Sequence, residues 1–212
     1  MPTITSIKQQ KNKRSLPPGG KSRVNVYLDD KFGFGIDLDN FVLLHLKVDQ
    51  ELTDEEIEKI IRKAEFQKTW DKLLRFAMVR PRAEKEITEY FRRKKVHESM
   101  HEELLEKLKH FELLDDQKFA EWWVDQRNNF KPKPKRILQI ELTKKGIVRE
   151  IINNVLEETK VNEEKMARDL LARKAYKWKN LEPRVARQKM SQYLAGKGFS
   201  WDTIERVLTS ED

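Results

Sequence analysis

The sequence predicts a mainly α protein: three tandem three-helix repeats in an elongated, curved solenoid, preceded by a small N-terminal β-hairpin extension. Three observations lead there. An apolar triplet recurs as Ile87, Phe91 and Val96, as Leu138, Leu142 and Ile147 51 residues on, and as Met190, Leu194 and Phe199 52 further on, always spaced by four and then five. Gly and Pro number only seven each in 212 residues, too few for a turn-rich β chain. Strand-like alternation is confined to the region before Thr53, and helical periodicity takes over from there.

Residues 1–22 read as a mobile polar arm with one candidate strand, Thr3 to Lys8, ending in Leu16-Pro17-Pro18-Gly19-Gly20-Lys21-Ser22. Gly20-Lys21-Ser22 resembles the end of a phosphate-binding loop. Ser15 stands where that pattern needs its first glycine, and Val24 to Leu28 continues as strand where a helix should begin.

Residues 23–66 form the extension. Val24, Val26 and Leu28 alternate along one strand, Asp29-Asp30-Lys31 supplies turn chemistry, and Phe32 and Phe34 alternate with Gly33 and Gly35 on the return. A lone hairpin is marginal in water, so it should pack on Phe41 to Leu46, a short element after an Asp39 cap, and on the next helix. That helix opens with Thr53-Asp54-Glu55-Glu56 and carries Ile57, Ile60, Ile61 and Ala64 as one stripe.

The repeats are placed at 67–114, 115–161 and 162–212. Each contributes a first helix (Trp70, Leu73, Leu74, Ala77; Phe119, Ala120, Trp123, Val124; Met166, Ala167, Leu170, Leu171), the triplet helix, and a third (Met100, Leu104, Leu105; Ile151, Val155, Leu156; Thr203, Val207, Leu208). Gly146 and Gly198 stand where a helix ends in a left-handed residue, and Lys95 takes that place in the first repeat at some expected cost in stability. Trp122 and Trp123 point about 100° apart on a helix, so one belongs in the core and the other on a seam between repeats, with a partner contact as the alternative. Trp178 and Trp201 are expected in the core.

Composition excludes several classes. The longest apolar run, Phe41 to Leu46, is interrupted by His45 and falls far short of the roughly 20 residues that span a bilayer. Nothing at the start resembles a signal peptide, and a cytoplasmic location is expected. Without cysteine there is no disulfide, thiol nucleophile or Cys-ligated zinc. His97-Glu98-Ser99-Met100-His101 matches the zinc-protease pattern, yet Met100 and His101 fall at core positions of the other repeats, so no metal site, catalytic residue or cofactor is expected.

Charge follows the repeats. Arg127–Lys145 holds seven bases against one acid, Arg80–Lys95 seven against three, and Arg168–Lys189 eight against two. His97–Glu121, by contrast, holds eight acids against three bases. Solvated helix faces account for any one such run, but three in equivalent positions describe a basic side suited to a polyanion or an acidic protein. Its sharpest part is Lys131-Pro132-Lys133-Pro134-Lys135, where the prolines keep the lysines out of helix. With only Phe130 beside that turn, contacts would go to phosphates or carboxylates and read little sequence.

Leu113-Leu114-Asp115-Asp116-Gln117-Lys118-Phe119-Ala120, followed by Trp123, Arg127, the Lys-Pro-Lys turn and Leu142-x-x-Lys145-Gly146-Ile147, resembles the central region of the bacterial RecX regulatory proteins. Arg80-Pro81-Arg82 with the Glu86 to Lys95 helix resembles their first repeat, and Phe32-Gly33-Phe34-Gly35 the β extension of longer members. The resemblance implies a protein that binds the RecA nucleoprotein filament in its groove or at its end, and a monomer is expected. It also implies inhibition of filament growth, ATP hydrolysis, strand exchange and RecA-stimulated repressor cleavage, with DNA as a further partner. In that picture, charge and repeat phase assign contact to Arg127, Lys131, Lys133, Lys135, Arg136, Lys144 and Lys145, supported by Arg80, Arg82, Arg92 and Arg93. Direct DNA binding through the same basic side is the alternative.

Overall fold

Three strands and ten α-helices are formed by residues 1–10, 22–159 and 161–209, which the computed structural model describes. The chain divides into two units, Met1–Phe76 and Ala77–Asp212.

In the first unit, β1 (Ile4–Gln9), β2 (Arg23–Leu28) and β3 (Lys31–Asp37) form an antiparallel sheet in that order. The expected hairpin is therefore two-thirds of a sheet. The start of the chain is no mobile arm, because Ile4 is fully buried and β1 pairs along β2. Most of the remaining arm, including Gly20-Lys21, lies outside the described residues. Asp29 and Asp30 both take positive φ, 47° and 64°, the signature of a type I′ turn whose twist matches the strands. Pairing skips Gly33, so Val26 faces Phe34 and Tyr27 faces Phe32. That bulge keeps Phe34 in the core and leaves Phe32 exposed.

α1 (Leu38–Leu43) is capped by Asp37, whose carboxylate accepts from the Asn40 N–H at 3.0 Å; the expected Asp39 cap is instead a first-turn acid. Only position 37 is still extended and can fold its side chain back onto the first turn. α2 (Asp54–Ala77) opens with a capping box: Thr53 Oγ1 accepts from the Glu56 N–H at 3.2 Å, and Glu56 accepts from the Thr53 N–H at 2.8 Å. It runs unbroken for 24 residues, so the Ile57–Ala64 stripe and the Trp70–Ala77 set share one helix. Ile60 and Ala64 close the core over Ile4, Val24, Val26, Phe34 and Ile36.

The second unit holds α3 (Glu84–Lys94), α4 (His101–His110), α5 (Asp116–Phe130), α6 (Lys135–Lys144), α7 (Arg149–Glu158), α8 (Glu163–Ala172), α9 (Pro183–Gly196) and α10 (Trp201–Thr209). α5–α7 enclose Phe119, Leu138, Leu142 and Ile152, and α8–α10 enclose Leu171, Leu194, Phe199 and Ile204. The triplets thus mark the core, with Ile87 and Phe91 fully buried in α3.

All three helix-ending positions are left-handed as expected: Lys95 at φ 54°, Gly146 at 89° and Gly198 at 91°. The glycines also allow close approach. A Cβ on Gly146 would lie 2.9 Å from Lys85 Cβ, and one on Gly198 2.4 Å from Ile137 Cδ1. Each turn therefore sits beneath a residue of the preceding repeat's triplet helix, whereas Lys95 is exposed. Trp178 is buried, but Trp201 is 69% exposed, against expectation. Phe199 fills that end of the core, leaving Trp201 outside it at the first position of α10.

Candidate interaction surface on the repeats

The basic side is built around two carboxylates. Glu86, on α3, accepts two hydrogen bonds from the Arg80 guanidinium, at 2.9 and 3.0 Å, and one from Lys145 Nζ at 2.7 Å. Arg82 lies 3.9 Å from the same group. Burial works to raise the Glu86 pKa, but the hydrogen bonds from Arg80 and Lys145 prevail and hold it below the usual carboxylate range. The second carboxylate, Glu141 on α6, accepts from Arg127 Nε at 2.7 Å and from the Trp123 indole N–H at 2.9 Å.

Both tryptophans lie against cations. Arg80 lies 5.1 Å from the Trp122 ring centre; Arg127 and Lys145 lie 4.5 and 5.0 Å from that of Trp123. Neither ring is fully buried, which corrects the expectation of one core tryptophan: both pack half-exposed against the second repeat's core, beside Phe119. The expected seam is present, since Arg80 reaches Trp122 from the first repeat.

A second link joins successive repeats. Ala83 and Pro134, which precede α3 and α6, offer no side-chain cap. The missing acceptor comes from the following repeat: Asp116 accepts from the Glu84 N–H at 2.9 Å, and Glu163 from the Lys135 N–H at 2.7 Å. Burial raises the Asp116 pKa, partly offset by that N–H. Glu163 also accepts from the Thr203 hydroxyl at 3.1 Å.

The eleven assigned cations therefore differ in what they already do. Arg80, Arg127 and Lys145 hold Glu86, Glu141 and the indoles, and the Arg82 side chain is only 11% exposed. Arg92, Arg93, Lys131, Arg136 and Lys144 are exposed, and Lys133 and Lys135 are half-buried. Charge counting missed one arrangement. Lys174 and Lys197 both lie over the Tyr193 ring, at 4.8 and 5.6 Å. By repeat offset they are the counterparts of Arg127 and Lys145, with Tyr193 in place of Glu141. That offset was the signal that could have found them.

The H-E-x-x-H stretch lacks the helical geometry its motif requires. His97 caps a short 3-10 turn, Glu98–Met100, and α4 begins only at His101. His101 Nε2 lies 3.0 Å from the Val96 carbonyl oxygen while its ring stacks on Phe91.

Comparison with known proteins agrees with this architecture. Family models match as the regulatory protein RecX N-terminal domain over residues 2–53, as the RecX second three-helix domain over 115–156 and as the RecX third three-helix domain over 162–208. The regulatory protein RecX of Bacillus licheniformis is 33% identical over 213 residues, covering 100% of this chain and 78% of that protein. That of Clostridium acetobutylicum is 30% identical, covering 97% and 94%. A crystal structure of a regulatory protein RecX superposes with a TM-score of 0.75 at 26% identity over 98% of both chains. That of RecX from Lactobacillus salivarius gives 0.63 at 26% identity, over 69% of this chain and 96% of that one. Matched in sequence along its whole length and in fold across its repeats, the chain belongs to the RecX family of regulatory proteins.

Proposed function

We propose that this protein is a non-enzymatic, monomeric, cytoplasmic modulator of RecA that binds the RecA–DNA filament, in its groove or at its end. There it inhibits filament growth, ATP hydrolysis, strand exchange and repressor-cleavage stimulation. The observation that carries the reading is the Lys-Pro turn within a RecX-type repeat: Lys131, Lys133 and Arg136 present charge that no carboxylate among the described residues takes up. Repeats at 67–114, 115–161 and 162–212 would offer such contacts in series.

RecA ATPase on single-stranded DNA should fall as the protein is titrated in, and unchanged rate and filament length would overturn the reading. Lys131→Glu, Lys133→Glu and Arg136→Glu together should weaken inhibition about tenfold or more while the fold is kept. Lys135 is left alone because its backbone N–H bonds Glu163, and an acid at 135 would stand next to that carboxylate.

Lys174 and Lys197 beside Tyr193, with no acid in the place of Glu141, favour a second reading: direct contact with nucleic acid. Affinity for naked DNA that falls steeply with salt, without any effect on RecA, would select it.

A further inference from the structure

The two edges of the N-terminal sheet are treated differently. The start of β1 is closed by the chain itself: the Ile4 N–H bonds the Gln50 carbonyl at 2.9 Å, the Asp49 N–H bonds the Ile4 carbonyl at 2.9 Å, and Thr3 bridges Glu51. Among the described residues β3 has no such cover. From Phe32 to Ile36 its described backbone bonds reach β2 and nothing beyond. An unpaired edge exposes a row of amides and carbonyls to which another strand can add.

Two features make this edge receptive. Gly33 and Gly35 remove side chains from β3, and Arg23 crosses the gap at Gly35 to donate to its carbonyl oxygen at 3.0 Å. That carbonyl has recruited a guanidinium where a neighbouring strand would offer an N–H. A groove of about 400 Å³ takes in this edge: β3 from Phe32 to Gly35 and α2 from Ile61 to Lys68 form its long sides, and Gln10, Arg23 and Asn25 complete its lining. Ile61 and Ala64 give it an apolar surface, and Arg23 and Lys68 outweigh Glu65 in charge.

We infer that this groove is a docking site for an extended, acidic peptide segment of a partner protein. The segment adds as a fourth strand along β3, sets alternate apolar side chains against Ile61 and Ala64, and places carboxylates near Arg23 and Lys68. The inference concerns the first unit alone and stands apart from the RecA reading.

The test uses the full chain and a labelled ten-residue peptide of alternating valine and glutamate, with a valine–lysine peptide as control. Binding is read by fluorescence anisotropy and by amide hydrogen exchange. The acidic peptide should bind saturably, slow exchange at residues 32–36, and exceed the lysine peptide about tenfold in affinity. Lys68→Glu, on an exposed helix face, should weaken the acidic peptide about fivefold with the fold kept. Gly35→Pro, which removes an edge N–H, should abolish binding. Failure of the acidic peptide to bind, equal affinity for the two peptides, or slowed exchange only outside β3 would each overturn the proposal. So would protection of residues 32–36 that rises with protein concentration alone, which would assign the edge to a second copy.

Discussion

The seam between the first and second repeats and the seam between the second and third share a plan but differ in chemistry. In both, an acid from the later repeat caps the earlier repeat's triplet helix, and a glycine turn lies beneath that helix. The first adds a charged hub of Glu86, Arg80 and Lys145 beside two indoles that meet edge to face. At the counterpart of Glu86 stands Ile137, which rests on Gly198. Beyond the shared cap, one seam is held by directional, solvent-sensitive contacts and the other by contact shape.

That contrast is most exposed at the glycines. Gly198→Ala adds a Cβ at positive φ, 2.4 Å from a branched side chain, and should cost about 3–4 kcal/mol. Gly146→Ala carries the same backbone strain but a less severe approach, 2.9 Å to Lys85 Cβ, so about 2 kcal/mol is expected. Equal losses in denaturant melts would erase the distinction between the seams.

Next in size is the hub. Glu86→Gln leaves Arg80 and Lys145 without their shared carboxylate and should cost about 2 kcal/mol. A double-mutant cycle with Lys145→Met should return a coupling of about 1 kcal/mol; additive losses would mean the hub does not act as a unit. Asp116→Ala and Glu163→Ala each remove one inter-repeat cap and should cost about 1 kcal/mol by thermal melting.

The smallest effect is a pH signature confined to the first seam. The folded Glu86 pKa is depressed, so its stabilisation is present above the ordinary value of 4.5 and fades as pH falls through the lower folded value. The gap between wild type and Glu86→Gln should therefore close in acid. Asp116, raised chiefly by burial, has the opposite sign: its contribution is complete below the ordinary aspartate value and is lost as pH rises through its folded value. Chemical denaturation from pH 3 to pH 7 separates the two, and an unchanged gap across that range would remove Glu86 from the account.

The core was largely legible because burial repeats with the helix. Ile87, Phe91, Leu138, Leu142, Leu194 and Phe199 occupy the predicted interior, and the left-handed positions followed from the same phase. Pairings between repeats were not legible. Glu86 and Lys145 lie 59 residues apart and meet only through stacking, so counting charge along the chain treated Lys145 as surface. Trp201 misled because its hydrophobicity was read without its place at the first turn of α10. Asp39 was preferred over Asp37 because a cap is fixed by backbone angle, to which composition is blind. The continuity of α2 was hidden by the polar stretch around Lys68, which contains no helix breaker.

The inter-repeat caps also set an order of assembly. A chain emerging from the ribosome completes the first turn of α3 only when Asp116 arrives 32 residues later, and that of α6 only when Glu163 arrives 28 residues after Lys135. Each repeat is thus finished by its successor, which couples neighbours and makes a half-synthesised array less settled than its helix count suggests. α9 departs from the scheme by opening on Pro183, a residue with no N–H to be capped. Synthesis can close that helix without waiting for an acid downstream.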